Sequence, residues 1–174
     1  MTGPARGRTI GVAIVISSPA REILEQARAG YEPTAGQMPP HVTVLAPLDV
    51  DDETMTAVVR HLERVALATK PFSLSMRGTG TFRPVSPVVF VVVSTGVSDC
   101  ADLEASVRSG DMAVVARYPY HPHVTLAHDV ADSILDLATS ELSDFSADML
   151  VRSMGLYERS DGRWDLVREF DFSA

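Results

Sequence analysis

The tetrapeptide Pro-His-Val-Thr occurs twice in this chain, at residues 40–43 and again at residues 122–125. Alternate residues of a β-strand face the same side of a sheet, so each copy presents an imidazole and a hydroxyl together. The valine between them points the other way, into a core. The two copies therefore predict two strands that each carry a polar pair on one face.

Each copy begins a similar series of elements. Strands are predicted at residues 41–47 and 123–128, and each is followed by a capped helix and then by a strand that starts Phe-Ser, at Phe72 and at Phe145. We therefore predict an α+β fold that is bilobal, with two pseudo-symmetric lobes of antiparallel sheet and helix around a central cleft. Residues 1–174 would form one such domain, with elements exchanged between the lobes.

The rest of the chain fits this alternation of strands and helices. A strand followed by a helix is predicted over 9–30, and a Pro/Gly-rich loop over 31–40 that includes Pro33. The strand from Phe72 is expected to end near Gly78, and a continuous apolar strand at 88–94 is expected to be central in a sheet. A helix should open at Ser98 or Asp99, and Asp161-Gly162 is a typical hairpin turn.

Composition limits the classes of function. The 174 residues are 45% hydrophobic and 22% charged, which is typical of a globular protein, and the net charge is −8. Binding along a long nucleic acid requires a basic surface, whereas the largest basic concentration here is the pair Arg6 and Arg8, expected to be a solvated tail. Any nucleic-acid substrate should be a nucleotide or a chain end. Cys100 is the single cysteine, so we expect a buried thiol and a reducing, cytoplasmic location. The apolar run at 88–93 is too short to cross a bilayer, so we expect no membrane association. We also expect a monomer.

The repeated pairs have a direct chemical interpretation. Imidazole titrates near pH 6.5, so His41 and His123 could supply one base and one acid at neutral pH. Cleavage of a phosphodiester needs both, and the hydroxyls of Thr43 and Thr125 could donate hydrogen bonds to the phosphate oxygens. No metal ion or other cofactor is required for this chemistry.

With two His-x-Thr motifs about eighty residues apart on apolar strands, the chain resembles the two-histidine (2H) phosphoesterases, and in particular the bacterial 2′-5′ RNA ligase/cyclic phosphodiesterase-like proteins. The resemblance includes Gly80-Thr81-Phe82 and the closing hairpin at Leu156-Tyr157-Glu158. It implies metal-independent hydrolysis of 2′,3′-cyclic phosphates on nucleotides or short RNA ends. It also implies His41 as the acid and His123 as the base, with Thr43 and Thr125 on the phosphate.

One departure from the family pattern affects the choice of activity. Ligase-like members often carry an arginine shortly after the second motif, where this chain has Ala127-His128. Together with the negative net charge, this favours a small cyclic phosphate over RNA ligation. The alternatives are 2′-5′ RNA ligation or 2′-5′ phosphodiester cleavage and, in another class, non-catalytic binding of a nucleotide or RNA end.

Other polar and aromatic residues offer further candidates. A metal site could be formed by His121, His123 and His128, near Asp129. His128, however, is expected on the opposite strand face. His61 is predicted to be solvated. Three aromatic residues near the second motif could stack on a nucleobase or simply pack: Phe82, Tyr118 and Tyr120.

Overall fold

A computed structural model describes residues 7–32 and 35–173. Its strands are β1 (Arg8–Val15), β2 (His41–Val50), β3 (Phe72–Thr81), β4 (Val88–Thr95), β5 (His123–His128), β6 (Ser146–Val151), β7 (Ser153–Ser160) and β8 (Arg163–Asp171). Its α-helices are α1 (Ala20–Tyr31), α2 (Asp52–Ala68), α3 (Val97–Val107) and α4 (Asp132–Glu141). Arg6 and Pro33, two residues singled out from the sequence, lie outside the described ranges.

The strands form one antiparallel sheet in the order β6-β3-β4-β5-β2-β1-β7-β8. The two His-x-Thr strands, β5 and β2, are therefore the central neighbours, with three further strands on each side. This arrangement confirms the predicted α+β class and its two halves. The apolar strand β4 is internal, as its continuous run of valines predicted.

One face of this sheet forms the core. Alternate residues of the central strands, Val42, Val44, Val124 and Leu126, are at most 2% exposed. Each half of the sheet is covered by two helices, one from the first half of the sequence and one from the second. Helices α1 and α4 contact β5, whereas α3 contacts β2 and α2 contacts α3 and β8. The two halves are thus intertwined and share one hydrophobic core.

Strand β3 differs from its predicted end near Gly78. It continues to Thr81, and its pairing with β4 shifts in register between Met76 and Thr79. Gly78 lies within this irregularity at a φ of +61°, a left-handed conformation that glycine adopts without a steric penalty. The glycine therefore marks a bulge inside the strand and does not end it.

Arg8 differs from the predicted solvated tail. It is the first residue of β1, and its guanidinium forms ion pairs with Asp52 at 2.6 Å and Glu158 at 3.1 Å. These contacts hold the start of β1 to α2 and β7. The thiol of Cys100 is fully buried, as predicted. No helix in the described part of the chain is long and apolar enough to cross a membrane.

Candidate active site at the junction of the two histidine strands

The candidate site lies on the sheet face opposite the core. Strands β2 and β5 pair antiparallel through Val42 and Val124. This register places His41 beside Thr125, and Thr43 beside His123, at the distances of directly opposed residues in neighbouring strands. The four polar residues singled out from the repeat are therefore brought together, with the histidines on one diagonal and the threonines on the other.

The two imidazoles are held in the same way. Nδ1 of His41 lies 2.7 Å from the carbonyl oxygen of Pro39, and Nδ1 of His123 lies 2.7 Å from that of His121. A carbonyl oxygen only accepts hydrogen bonds, so each Nδ1 carries a proton and donates it. In the neutral imidazole, Nε2 then keeps its lone pair. Both rings are consequently fixed in the tautomer that can exchange a proton at Nε2.

The surroundings of His41 and His123 favour the neutral form of both imidazoles. The pKa of His41 is lowered to about 4, chiefly by burial, with the carbonyl of Pro39 acting to raise it and Arg28 and His123 adding to the decrease. Burial also lowers the pKa of His123, to a smaller extent; the carbonyl of His121 acts to raise this pKa and the His121 ring to lower it. A bound phosphate anion would favour the protonated form again, because an opposite charge within about 4–6 Å raises the pKa of a histidine.

Arg28 is a residue of this site that the sequence motifs do not reveal. It lies on α1, and its Nη1 donates a hydrogen bond to the carbonyl oxygen of Met38 at 3.1 Å. The next carbonyl along the chain, that of Pro39, holds His41. One short segment thus anchors both a cation and an imidazole. A single arginine in an amphipathic helix has no spacing signal that could have revealed this position.

A cavity of about 260 Å³ opens beside His41 and Thr43. Its polar lining includes Arg28, Glu32, Gln37 and His128, and its apolar lining includes Leu45, Met38, Tyr157 and Trp164. Trp164 and Tyr157 come from the closing hairpin, so only the tertiary structure brings them next to the first motif. A mostly apolar cavity with a few converging polar groups is the usual form of a small-molecule site.

The aromatic residues selected from the sequence lie in three different settings. Phe82 contacts the His123 ring edge to face, at a centroid distance of 5.0 Å. Tyr120 packs against the core and donates its hydroxyl to the carbonyl oxygen of Thr43 at 2.8 Å. Tyr118 is 56% exposed, with Arg117 over its ring. A stacking role for any of the three stays a prediction.

The remaining histidines form separate interactions. His128 lies 3.3 Å from Glu32 and 3.3 Å from Asp129, and it lines the cavity beside His41. The expectation that it lies on the opposite strand face is wrong, because the pairing of β5 with β4 shifts in register between Thr125 and Ala127 and breaks the alternation of faces there. Within residues 7–32 and 35–173, no three His, Cys, Asp or Glu side chains converge in a group that could hold a metal ion. His61 is half-buried, with Nε2 at 3.1 Å from the carbonyl oxygen of Ser106, so the expectation of a solvated ring is wrong.

Comparison with known proteins agrees with this geometry. A sequence profile described as the 2′-5′ RNA ligase superfamily matches residues 16–163, which include both His-x-Thr motifs. The chain belongs to the 2′-5′ RNA ligase superfamily. The two-histidine phosphoesterase resemblance read from the repeat is thereby confirmed at the level of the family.

Similar bacterial proteins have nearly the same length. The chain is 27% identical over 167 residues to a Bacillus licheniformis protein whose name assigns it provisionally to the phosphoesterases, covering 94% of this chain and 98% of the relative. It is 27% identical over 163 residues to an Oceanobacillus iheyensis protein with the same assignment, covering 92% and 95%. These relatives support membership of a phosphoesterase family.

Solved structures share the superfamily fold. The crystal structure of Escherichia coli LigT complexed with 3′-AMP has a TM-score of 0.76 at 20% identity, covering 97% of this chain and all of that one. A Thermus thermophilus protein has a TM-score of 0.70 at 19% identity, covering 94% and 97%. At these identities the likeness concerns the fold, which is the α+β arrangement described above.

Proposed function

We propose that this superfamily member is a metal-independent phosphodiesterase that opens 2′,3′-cyclic phosphates of nucleotides or short RNA ends. The observation that supports it most is the matched anchoring of the two imidazoles. In each, the Nδ1–H group donates a hydrogen bond to a backbone carbonyl, and Nε2 remains available for proton exchange. An acid and a base on opposite sides of one phosphate are what the hydrolysis of a phosphodiester requires.

In the proposed reaction, a water oxygen bonds to phosphorus and the bond from phosphorus to the 3′ oxygen breaks. His123 accepts the proton of the water at Nε2, and His41 donates a proton from Nε2 to the leaving 3′ oxygen. The product is a 2′-phosphate, and the two histidines exchange protonation states. The hydroxyls of Thr43 and Thr125 and the guanidinium of Arg28 would bind the phosphate oxygens, where negative charge grows in the transition state.

The preference for a small substrate is inferred from the net charge of the protein. The net charge of −8 disfavours contact with many phosphates of a long RNA. A single phosphate can still be held by Arg28 within the cavity beside His41. This argument also disfavours 2′-5′ RNA ligation, in which two RNA ends must bind together.

The test is turnover of 2′,3′-cyclic nucleotides by the wild-type protein, followed by phosphorus NMR with a chelator present. We expect the cyclic phosphate signal to be replaced by that of a 2′-phosphate monoester. His41→Ala and His123→Ala should each lose roughly 10²–10⁴-fold in kcat, the usual contribution of a general acid or base. The double variant should be little worse than either single one, because the two residues act as a unit.

Two results would contradict the proposal. Binding of the cyclic nucleotide without turnover would make the protein a binder of nucleotide ends. Near wild-type turnover by both single histidine variants, with circular dichroism showing a folded protein, would exclude the acid–base pair. His61→Ala is the matched control, because it removes an imidazole that lies away from the site. Its circular dichroism and turnover are compared with those of the two site variants.

A further inference from the structure

The two halves of the cleft differ in the strand that flanks each histidine strand. In one half, Ala13 of β1 pairs with Thr43. In the other half, Phe90 of β4 pairs with Thr125. The two positions are equivalent by register, so a methyl group in one half takes the place of a phenyl ring in the other. The site is therefore pseudo-symmetric in its four polar residues and asymmetric in its walls.

Aromatic rings fill the half that contains His123. Phe90 is 5% exposed, and its ring lies 4.4 Å from that of Phe82 and 5.2 Å from that of His123. Even the neighbouring Gly80 has no room for a side chain, since a Cβ there would lie 2.8 Å from the Phe90 ring. This half has no space for a bulky group of a substrate next to its histidine.

The half that contains His41 is open. Gly11 and Ala13 line the cavity beside His41, and the small side chain of Ala13 leaves space that a ring at this position would fill. The Trp164 indole extends over Gly11, with a ring carbon 3.5 Å from where a Cβ would be. An indole in the lining of a cavity that also has small side chains is suited to stacking with a planar ring, and base–aromatic stacking accepts any nucleobase.

We propose that the nucleobase of the substrate binds in this cavity on the His41 side, against the Trp164 indole. The inference rests on the proposed function for the position of the phosphate, between the two histidines. It makes the substrate a nucleotide or the terminal nucleotide of an RNA, and not a cyclic phosphate that lacks a base. The ribose then lies on the His41 side, which places the leaving 3′ oxygen within reach of His41 as the acid.

A binding experiment tests the cavity without relying on catalysis. Trp164 is the single tryptophan of the chain, so intrinsic tryptophan fluorescence reports on this wall alone. Saturation with 3′-AMP or 2′-AMP should change the intensity of the emission, whereas inorganic phosphate, which occupies the phosphate position only, should leave it nearly unchanged. Calorimetry establishes that each ligand is bound. An unchanged emission with bound nucleotide would overturn the proposal.

A kinetic experiment compares substrates with and without a base. For a 2′,3′-cyclic nucleotide, Trp164→Ala should lower kcat/KM by about 5- to 150-fold, the loss expected for one base–aromatic stack, and Trp164→Phe should recover most of it. For 1-O-methylribose 2′,3′-cyclic phosphate, all three proteins should be alike. Val167→Ala, a truncation of a neighbouring exposed residue outside the cavity, is the control.

The outcomes separate the two proposals. Equal losses by Trp164→Ala on both substrates, or none on either, would overturn the base position while leaving the hydrolysis in place. A larger base-dependent loss in Phe82→Ala than in Trp164→Ala would move the base to the other half. If the wild-type protein hydrolyses neither substrate, the proposed function fails, and the fluorescence titration still decides whether a nucleotide occupies the cavity.

Discussion

His41 is subject to two opposing influences. Burial and the nearby Arg28 keep its pKa low, which favours a neutral imidazole and the role of base. The open cavity on its side places the leaving oxygen next to it, which favours the role of acid. The role of acid follows from the geometry, because a bound phosphate anion offsets the charge of Arg28 and raises the pKa of His41, whereas the shape of the cavity stays the same.

The leaving group decides between these roles. A 2′,3′-cyclic nucleotide whose bridging 3′ oxygen is replaced by sulfur releases a thiolate, which needs no proton. With His41 as the acid, His41→Gln should lose its usual 10²–10⁴-fold on the natural substrate and far less on the sulfur analogue. His123→Gln should lose equally on both. The reverse pattern in steady-state kcat would make His123 the acid.

The same low pKa predicts a pH-dependent stability. Folded His41 and His123 bind protons only below the ordinary histidine pKa, so the unfolded chain binds them first as the pH falls. Stability should therefore be greatest above about pH 6.5 and decrease towards pH 4, with His41 contributing roughly 2–3 kcal/mol of the decrease. Urea unfolding at pH 7 and pH 4.5 measures this. His41→Gln should show a shallower dependence, and an unchanged one would contradict the assignment.

At the scale of elements, the connection from α1 to β2 positions most of the charge at the site. The carbonyl of Met38 holds Arg28, and that of Pro39 holds His41. The matching connection before β5 holds His123 in the same way, through the carbonyl of His121. Backbone carbonyls thus set the orientation of the imidazole ring in both halves. Helix α1 adds the positive charge of Arg28 to the half that contains His41.

The β7–β8 hairpin contributes Trp164 to the proposed base cavity, and a tight turn joins its two strands. Its two-residue turn has Asp161 at a φ of 49° and Gly162 at a φ of 80°. Gly162→Ala should destabilise the protein by about 1 kcal/mol, because a Cβ is penalised in the left-handed region. Asp161→Asn should be nearly neutral, since asparagine tolerates this conformation. Urea unfolding of both variants checks the prediction, and equal stabilities would contradict it.

At the scale of the whole molecule, activity should not depend on a metal ion. In the proposed mechanism, both proton-transfer groups and the phosphate donors are side chains of this chain, so the mechanism needs no Lewis acid. After exhaustive treatment with chelator, kcat for a 2′,3′-cyclic nucleotide should remain unchanged, because proton transfer by imidazole does not use a metal ion. Loss of activity that zinc or manganese restores would favour a metal site at His121 and His123 instead.

The sequence alone determined the features that depend on local pattern. Alternation along residues 41–44 and 123–126 defined which side chains face the core and which face the site. The repeat of strand, helix and strand established the α+β class, and Asp161-Gly162 established the closing hairpin. Each of these follows from backbone geometry that neighbouring residues specify among themselves.

Other features were decided only by the tertiary structure. The pairing of Val42 with Val124 places the two histidines diagonally across the two strands. No local sequence signal specifies this register. Arg28 and Trp164 come from segments far apart in the chain and meet at one cavity only because the sheet and the crossing helices bring them together. Which half of the cleft is open depends on Ala13 occupying the position that Phe90 occupies in the other half. That comparison requires the pairing of strands, because contacts between distant segments are set by packing of the whole core.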